Sequence, residues 1–169
     1  MQPATIIGWT GKGRLSDLRE SALGSLVAGR ARGVLLKTAG VSLVCSGADP
    51  AVVSRTIANL PGVGWVALGY EVSNGLQGFN EAASMLARRY LSPGTTFAVS
   101  AAAATSNQSE GDMILAVSST ILSRVRGTHV HETKPKVRFR ISFSGSVGAC
   151  GVQIRQGVGG VPTSRRRIA

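Results

Sequence analysis

The chain has 169 residues, 43% of them hydrophobic, enough for one or two compact domains with buried cores. Its 19 Lys and Arg against 8 Asp and Glu give a formal charge of +11, a field that draws polyanions and repels basic partners, with nucleic acid the first to consider. The longest apolar runs, such as residues 63–68, fall far short of the roughly 20 residues a membrane span needs, and residues 1–9 lack the basic start and long apolar stretch of a secretory signal, so a cytoplasmic protein is expected.

A strand is expected over 4–9, then a helix over about 15–31. In that helix Leu18, Ala22, Leu23, Leu26 and Val27 recur at three- and four-residue spacing, Ser16 suits the cap, and Asp17 and Glu20 sit where the helix dipole favours acids. Residues 33–37 and 41–46 flank a Thr38, Ala39, Gly40 turn, the spacing of a short hairpin. Asp49 supplies a cap and Pro50 a first-turn proline for a helix whose Val52, Val53, Ile57 and Leu60 share a face, ending before Pro61 and Gly62. A fourth strand over 64–70 completes the order strand, helix, strand, strand, helix, strand, which predicts a ferredoxin-like sandwich with its helices on one face of an antiparallel sheet.

Residues 71–78 are polar and contain glycine, which fits a short linker or the lead into a helix over about 79–90 that Pro93 and Gly94 stop, and the domain boundary is expected there. A strand over 95–101 and a loop over 102–111, rich in the turn formers Thr105, Ser106, Asn107 and Ser109, lead to a helix over about 110–126. Met113, Ile114, Val117, Ile121 and Val125 form its apolar stripe, Arg124 and Arg126 complement its negative end, and Gly127 ends it. Residues 136–143 then alternate strictly: Val137, Phe139, Ile141 and Phe143 take one face, and Lys136, Arg138, Arg140 and Ser142 the other. After Ser144 and Gly145 turn the chain, residues 147–156 are expected to return alongside with Val152 and Ile154 inward and Arg155 outward. A slip of one residue would bury three cations, so the register is fixed energetically.

Lys136, Arg138 and Arg140, with Arg155 across from them, are the leading candidates for phosphate contacts; the competing role is a solvated strand face. Lys12 and Arg14, in the loop around Gly11 and Gly13, either grip nucleic acid or solubilise the loop. Arg165, Arg166 and Arg167 either extend the patch or form a loosely attractive tail. The glycine run over 157–160 lacks the Lys and Ser or Thr of a phosphate loop and reads as a tight turn. His129 and His131 lie two apart with only Glu132 nearby, so surface histidines are expected and no metal site. Cys45 and Cys150 stand alone in apolar stretches and read as buried free thiols. Trp9 and Trp65 read as core or edge aromatics, and an aromatic content of 5% argues against a base-stacking sheet. No cofactor is expected.

Phe97, Ala98 and Val99, the helix to Arg126, Pro135 before an alternating strand, and Gly157, Val158, Gly159, Gly160, Val161 and Pro162 after the returning strand follow a recognisable order, as do Leu60, Pro61, Gly62, Val63 and Gly64 earlier. In order and spacing these pieces resemble the ferredoxin-like domain plus THUMP domain that precedes the catalytic part of tRNA 4-thiouridine synthetases (tRNA sulfurtransferases). The resemblance covers nearly the whole chain and is carried by its last third. It implies an α/β (α+β) fold with a ferredoxin-like domain over 1–70 and a THUMP domain over 71–169. It also implies tRNA as partner, held at its 3′ acceptor end by shape and backbone contacts. Arg124, at the end of its helix, is counted with the candidate contact residues above.

Two departures stand out: Ser100, Ala101, Ala102, Ala103 and Ala104 occupy the place where the family carries basic residues, and the first strand runs into Trp9, Thr10, Gly11, Lys12, Gly13 and Arg14 without the family's acidic residue. The synthetases continue into an ATP-pyrophosphatase domain opened by an S-G-G-x-D-S loop, whereas this sequence stops seven residues after Pro162. The expectation is therefore a binding module with no catalytic centre of its own. It serves either as an adaptor for a separate modifying enzyme or as the amino-terminal part of a tRNA sulfurtransferase or methyltransferase. A basic structural protein bound to ribosomal RNA is the third reading. Dimerisation occurs in the synthetase family, but no seam for a homodimer is legible here.

Overall fold

The computed structural model describes residues 1–10, 14–28, 35–39, 42–73, 75–103, 109–144 and 147–156. The first half runs β1 (Pro3–Trp9), α1 (Leu15–Ala28), β2 (Leu35–Ala39), β3 (Ser42–Ser46), α2 (Pro50–Ile57), β4 (Val63–Val72). The second runs α3 (Gly75–Tyr90), β5 (Thr96–Ala103), α4 (Glu110–Arg124), β6 (His129–Val130), β7 (Val137–Ser144), β8 (Val147–Gln156). Local chemistry sets several of these ends. The Asp49 side chain accepts the Ala51 amide at 2.9 Å to start α2, with Pro50 in its first turn. Ser109 accepts the Asp112 amide at 3.1 Å to start α4, while Glu110 turns back to accept the Ala103 amide at 2.9 Å. Gly127, at φ +83°, reverses the chain after α4.

The strands form one eight-stranded sheet in the order β2-β3-β1-β4-β8-β7-β5-β6. Strands β2, β3, β1 and β4 show the ferredoxin-like arrangement, each antiparallel to its neighbours. Strand β4 passes through Tyr70 and Glu71, the expected domain boundary, and pairs with β1 on one side and with β8 on the other. Strand β5 is parallel to both β6 and β7, since α4 carries the chain back across the sheet.

The four helices among the described residues cover one face of this sheet. Beneath α1 and α2 lie Ile7, Leu43, Val63 and Val66, packed on Leu18, Ala22, Leu26, Val53 and Ile57. Beneath α3 and α4 lie Val72, Phe97, Phe139, Ile141, Phe143 and Val152, packed on Phe79, Leu86, Met113, Val117 and Ile121. Val66 and Val72 are an even number apart on β4, which places both cores on the same side. The opposite face holds small residues, Ala4, Ala67 and Ala149, with Ile6, Val44 and Trp65. Their size lets the sheet curl on itself, so that the Ser42 hydroxyl of β3 reaches the Ser142 hydroxyl of β7 at 2.7 Å.

Several local expectations are corrected. Of the stretch over 71–78, Glu71 and Val72 end β4 and residues 75–78 open α3, so the helix begins earlier than expected, because Leu76, Gly78 and Phe79 pack inward. Residues 102 and 103 of the expected loop belong to β5, which β7 pairs through Ala103 and Phe143. Leu23 is 45% exposed, since the buried stripe of α1 is the narrower Leu18, Ala22, Leu26. Ile154 is 38% exposed rather than inward, because a register shift between Val66 and Ala67 leaves it without a partner on β4. Strand β6, only two residues long, escaped the periodicity reading. Cys45 and Cys150 are buried free thiols, as expected.

Candidate functional site

The alternation of β7 sorts its side chains as read from the sequence: Phe139, Ile141 and Phe143 are buried under the helices, while Arg138, Arg140 and Ser142 share the helix-free face. Because that face is curled, its cations do not all meet solvent. Ser142 is fully buried. The Arg140 guanidinium lies over the Trp65 ring, 4.7 Å from its centroid, and Nε donates to Gln153 Oε1 at 2.9 Å. Burial and, second, the charge of Arg138 pull its pKa down from 12.5 to about 10. The Trp65 ring in turn fills the space above Gly8, where a Cβ would fall 2.0 Å from Cε2. Arg140 is thus a brace between β7 and β4, with its guanidinium face on Trp65 and its Nε on Gln153.

Arg138 is half-exposed and does different work. Its Nη1 donates to Ser100 Oγ at 2.8 Å and its Nη2 to the Glu132 carbonyl at 2.9 Å. That second bond ties down the turn leading into β7. Within the turn the Lys134 amide donates to His131 Nδ1 at 3.2 Å, and the Lys136 amide donates to Thr96 Oγ1 at 3.0 Å. Lys134 and Lys136 therefore stand on a fixed backbone with exposed side chains.

The end of α4 meets this turn at the same edge of the sheet. Gly94 donates its amide to the Gly127 carbonyl at 2.8 Å, and His129 donates to the Thr95 carbonyl at 3.2 Å, which sets the ends of α3 and α4 beside the starts of β5, β6 and β7. Arg124 and Arg126 are exposed there, and Arg124 lines a surface groove between α3 and α4 with Arg88, Met85 and Thr120.

Of the expected contact residues, the structure brings Lys136, Arg138 and Arg124 to one edge and turns Arg140 inward. Arg14 is exposed just before α1, in the other half of the chain. Arg155 lies in β8 opposite Val66, and only its backbone is described. Lys12, Arg165, Arg166, Arg167 and the glycine run over 157–160 fall outside the described residues. Sequence reasoning passed over Arg88 and Lys134, and read Arg126 only as a dipole partner. The signal of Arg88 and Arg126 was legible in part, as cations in or just beyond the last turns of α3 and α4.

Burial pushes the Cys45 thiol up to about 11 and the Cys150 thiol up to about 12. Both stay protonated at neutral pH and neither is poised as a nucleophile. No group of three His, Cys, Asp or Glu side chains among the described residues is placed to hold a metal ion. Nor is any helix among them long and apolar enough to cross a membrane.

No protein-family model matches the sequence, and no curated protein sequence matches it either. Solved structures do match. PH1313 from Pyrococcus horikoshii Ot3 superimposes with a TM-score of 0.75 at 15% identity, over 95% of this chain and 57% of that one. A 4-thiouridine synthetase solved as an RNA complex with bound ATP gives 0.63 at 13% identity, over 90% of this chain and 41% of that one. TrmN from Thermus thermophilus gives 0.61 at 16% identity, over 91% and 46%. The chain spans about half the length of the structures it matches. At this identity the likeness establishes the fold: a mixed α/β architecture shared with a 4-thiouridine synthetase and TrmN, across both halves of the chain.

Proposed function

We propose that this chain is an RNA-binding module that grips tRNA and presents its acceptor end to a modifying enzyme. The observation that carries the reading is the edge where Lys136, Arg138 and Arg124 collect, in a chain of charge +11 whose fold is shared with a synthetase solved in complex with RNA. Binding by backbone charge and shape suits the site, because Trp65, on the same face as the basic strand's arginines, is already covered by Arg140. The module itself carries out no chemistry; the modifying activity belongs to another domain or another chain.

A second reading takes the chain as the amino-terminal part of a tRNA-modifying enzyme. It is favoured by one fact: the match covers nine-tenths or more of this chain but only 41–57% of the three structures named above. Assay of the full-length gene product for thiolation or methylation of tRNA separates the two.

Binding of labelled tRNA as a function of salt, with CCA-trimmed tRNA and ribosomal RNA as competitors, tests the main reading. The expected result is binding that falls steeply with salt and weakens on trimming. Equal competition by ribosomal RNA would point to a ribosome-associated protein, and no binding at low salt would remove RNA altogether.

A further inference from the structure

Cations on a protein surface differ in what they have left to offer a ligand. Arg140 has its guanidinium face on Trp65 and its Nε on Gln153, and Arg138 has both terminal nitrogens engaged by Ser100 and Glu132. Moving either toward a phosphate would break bonds that hold β7 to its neighbours or hold the turn before it. Arg88, Arg124, Arg126, Lys134 and Lys136 are exposed instead. They lie around one rim, from the α3–α4 groove past Gly127 to the turn that Arg138 pins. Glu132 is the acid within that turn, and its backbone carbonyl is held by Arg138.

We infer that the phosphates of the RNA are taken on this rim, by Arg88, Arg124, Arg126, Lys134 and Lys136, and not on the strand face of β7. The inference rests on the reading of the chain as an RNA-binding module and assigns that module its contact surface. Arg138 is then a positioning residue: it fixes the turn so that Lys134 and Lys136 are presented without first being ordered, which lowers the entropic cost of contact. The rim crosses from the groove between α3 and α4 to the sheet edge. It suits a sugar–phosphate backbone passing by, rather than bases inserted into a pocket.

The test compares three double variants in tRNA binding over a salt series: Arg124→Gln with Arg126→Gln, Lys134→Gln with Lys136→Gln, and, as a control of equal charge loss, Arg19→Gln with Arg55→Gln on the first pair of helices. All six side chains are exposed, and thermal melting checks that each variant folds. Each lost phosphate contact should lower the slope of log affinity against log salt by roughly 0.7–0.9, so a rim pair should lose about 1.5 and weaken binding about tenfold or more. The control should keep the parent slope, and Lys134→Arg with Lys136→Arg should restore it. Equal losses in all three pairs would mean that only the overall field matters and would overturn the rim. An unchanged slope in both rim pairs, with tRNA still bound, would overturn it too and leave the RNA reading standing. Absence of tRNA binding by the parent protein would instead remove the RNA reading. Rim-dependent binding to phosphatidylserine vesicles in preference to tRNA would transfer the surface to a membrane and overturn the assignment.

Discussion

The Ser42 and Ser142 hydroxyls meet at 2.7 Å although β3 and β7 stand four places apart in the sheet. Both are fully buried, so each hydroxyl satisfies the other where water is excluded. Ser142→Ala leaves Ser42 with an unmet group and should cost about 1–2 kcal/mol. The double Ala variant should be less destabilised than the two singles summed, by at least about 0.5 kcal/mol. Urea midpoints of the four proteins measure this; strict additivity would mean that the two hydroxyls do not interact in solution.

Trp65→Ala removes both the lid over Gly8 and the platform for Arg140, and should cost about 3–5 kcal/mol, as large aromatic truncations do. Arg140→Gln should cost less, about 2 kcal/mol, and shift the emission of Trp65 when read in a Trp9→Phe background. Unchanged emission would show that the guanidinium does not rest on the indole.

The two thiols give a pH dependence with a definite sign. Both have folded pKa values raised from 9.0, to about 11 for Cys45 and about 12 for Cys150. Above pH 9 the unfolded chain releases these protons while the folded one keeps them, so stability falls as pH rises. The contribution is complete below about pH 9 and is lost progressively toward pH 12. Cys45→Ala with Cys150→Ala should flatten the alkaline limb of the stability profile, even though the cavities lower its plateau. At neutral pH a disulfide reagent should label neither thiol until denaturant is added.

Glycine positions separate close approach from backbone freedom. A Cβ at Gly69 would fall 1.9 Å from the Cys150 carbonyl oxygen, within the pairing of β4 with β8, so Gly69→Ala should abolish soluble folded protein. Gly75 has φ +58° with nothing within 4 Å of its would-be Cβ, so Gly75→Ala should cost only about 1–2 kcal/mol of left-handed strain. Soluble yield checks the first and a thermal melt the second.

Much of the fold was legible because local rules decided it. Asp49 and Pro50 announce α2, Gly127 ends α4, and the alternation over 136–143 placed Phe139, Ile141 and Phe143 in the core. The bounds of β8, Val147–Gln156, agree with the expected returning strand. Non-local facts were not legible. Periodicity put Arg140 on the polar face of β7, yet no pattern in the sequence tells that Trp65, on a strand two places away, lies beneath it. The curl that buries Ser142 depends on the small size of Ala4, Ala67 and Ala149 acting together across three strands. Likewise Arg88, Arg126 and Lys134 form a group only once the ends of α3 and α4 and the turn before β7 reach one edge.

The pairing of β4 with β8 also constrains the order of folding. Val72 must find Gly148 and Trp65 must find Gln156, contacts between distant parts of the chain, whereas β1, β3 and β4 assemble from the first half alone. Until β8 arrives, the outer side of β4 is an unsatisfied edge carrying Val66 and Leu68. A chain caught at that stage offers a template to any extended strand, including the β8 of another molecule. Exchange of β8 between copies, and aggregation seeded at β4, are the failures expected of a slow or interrupted second half.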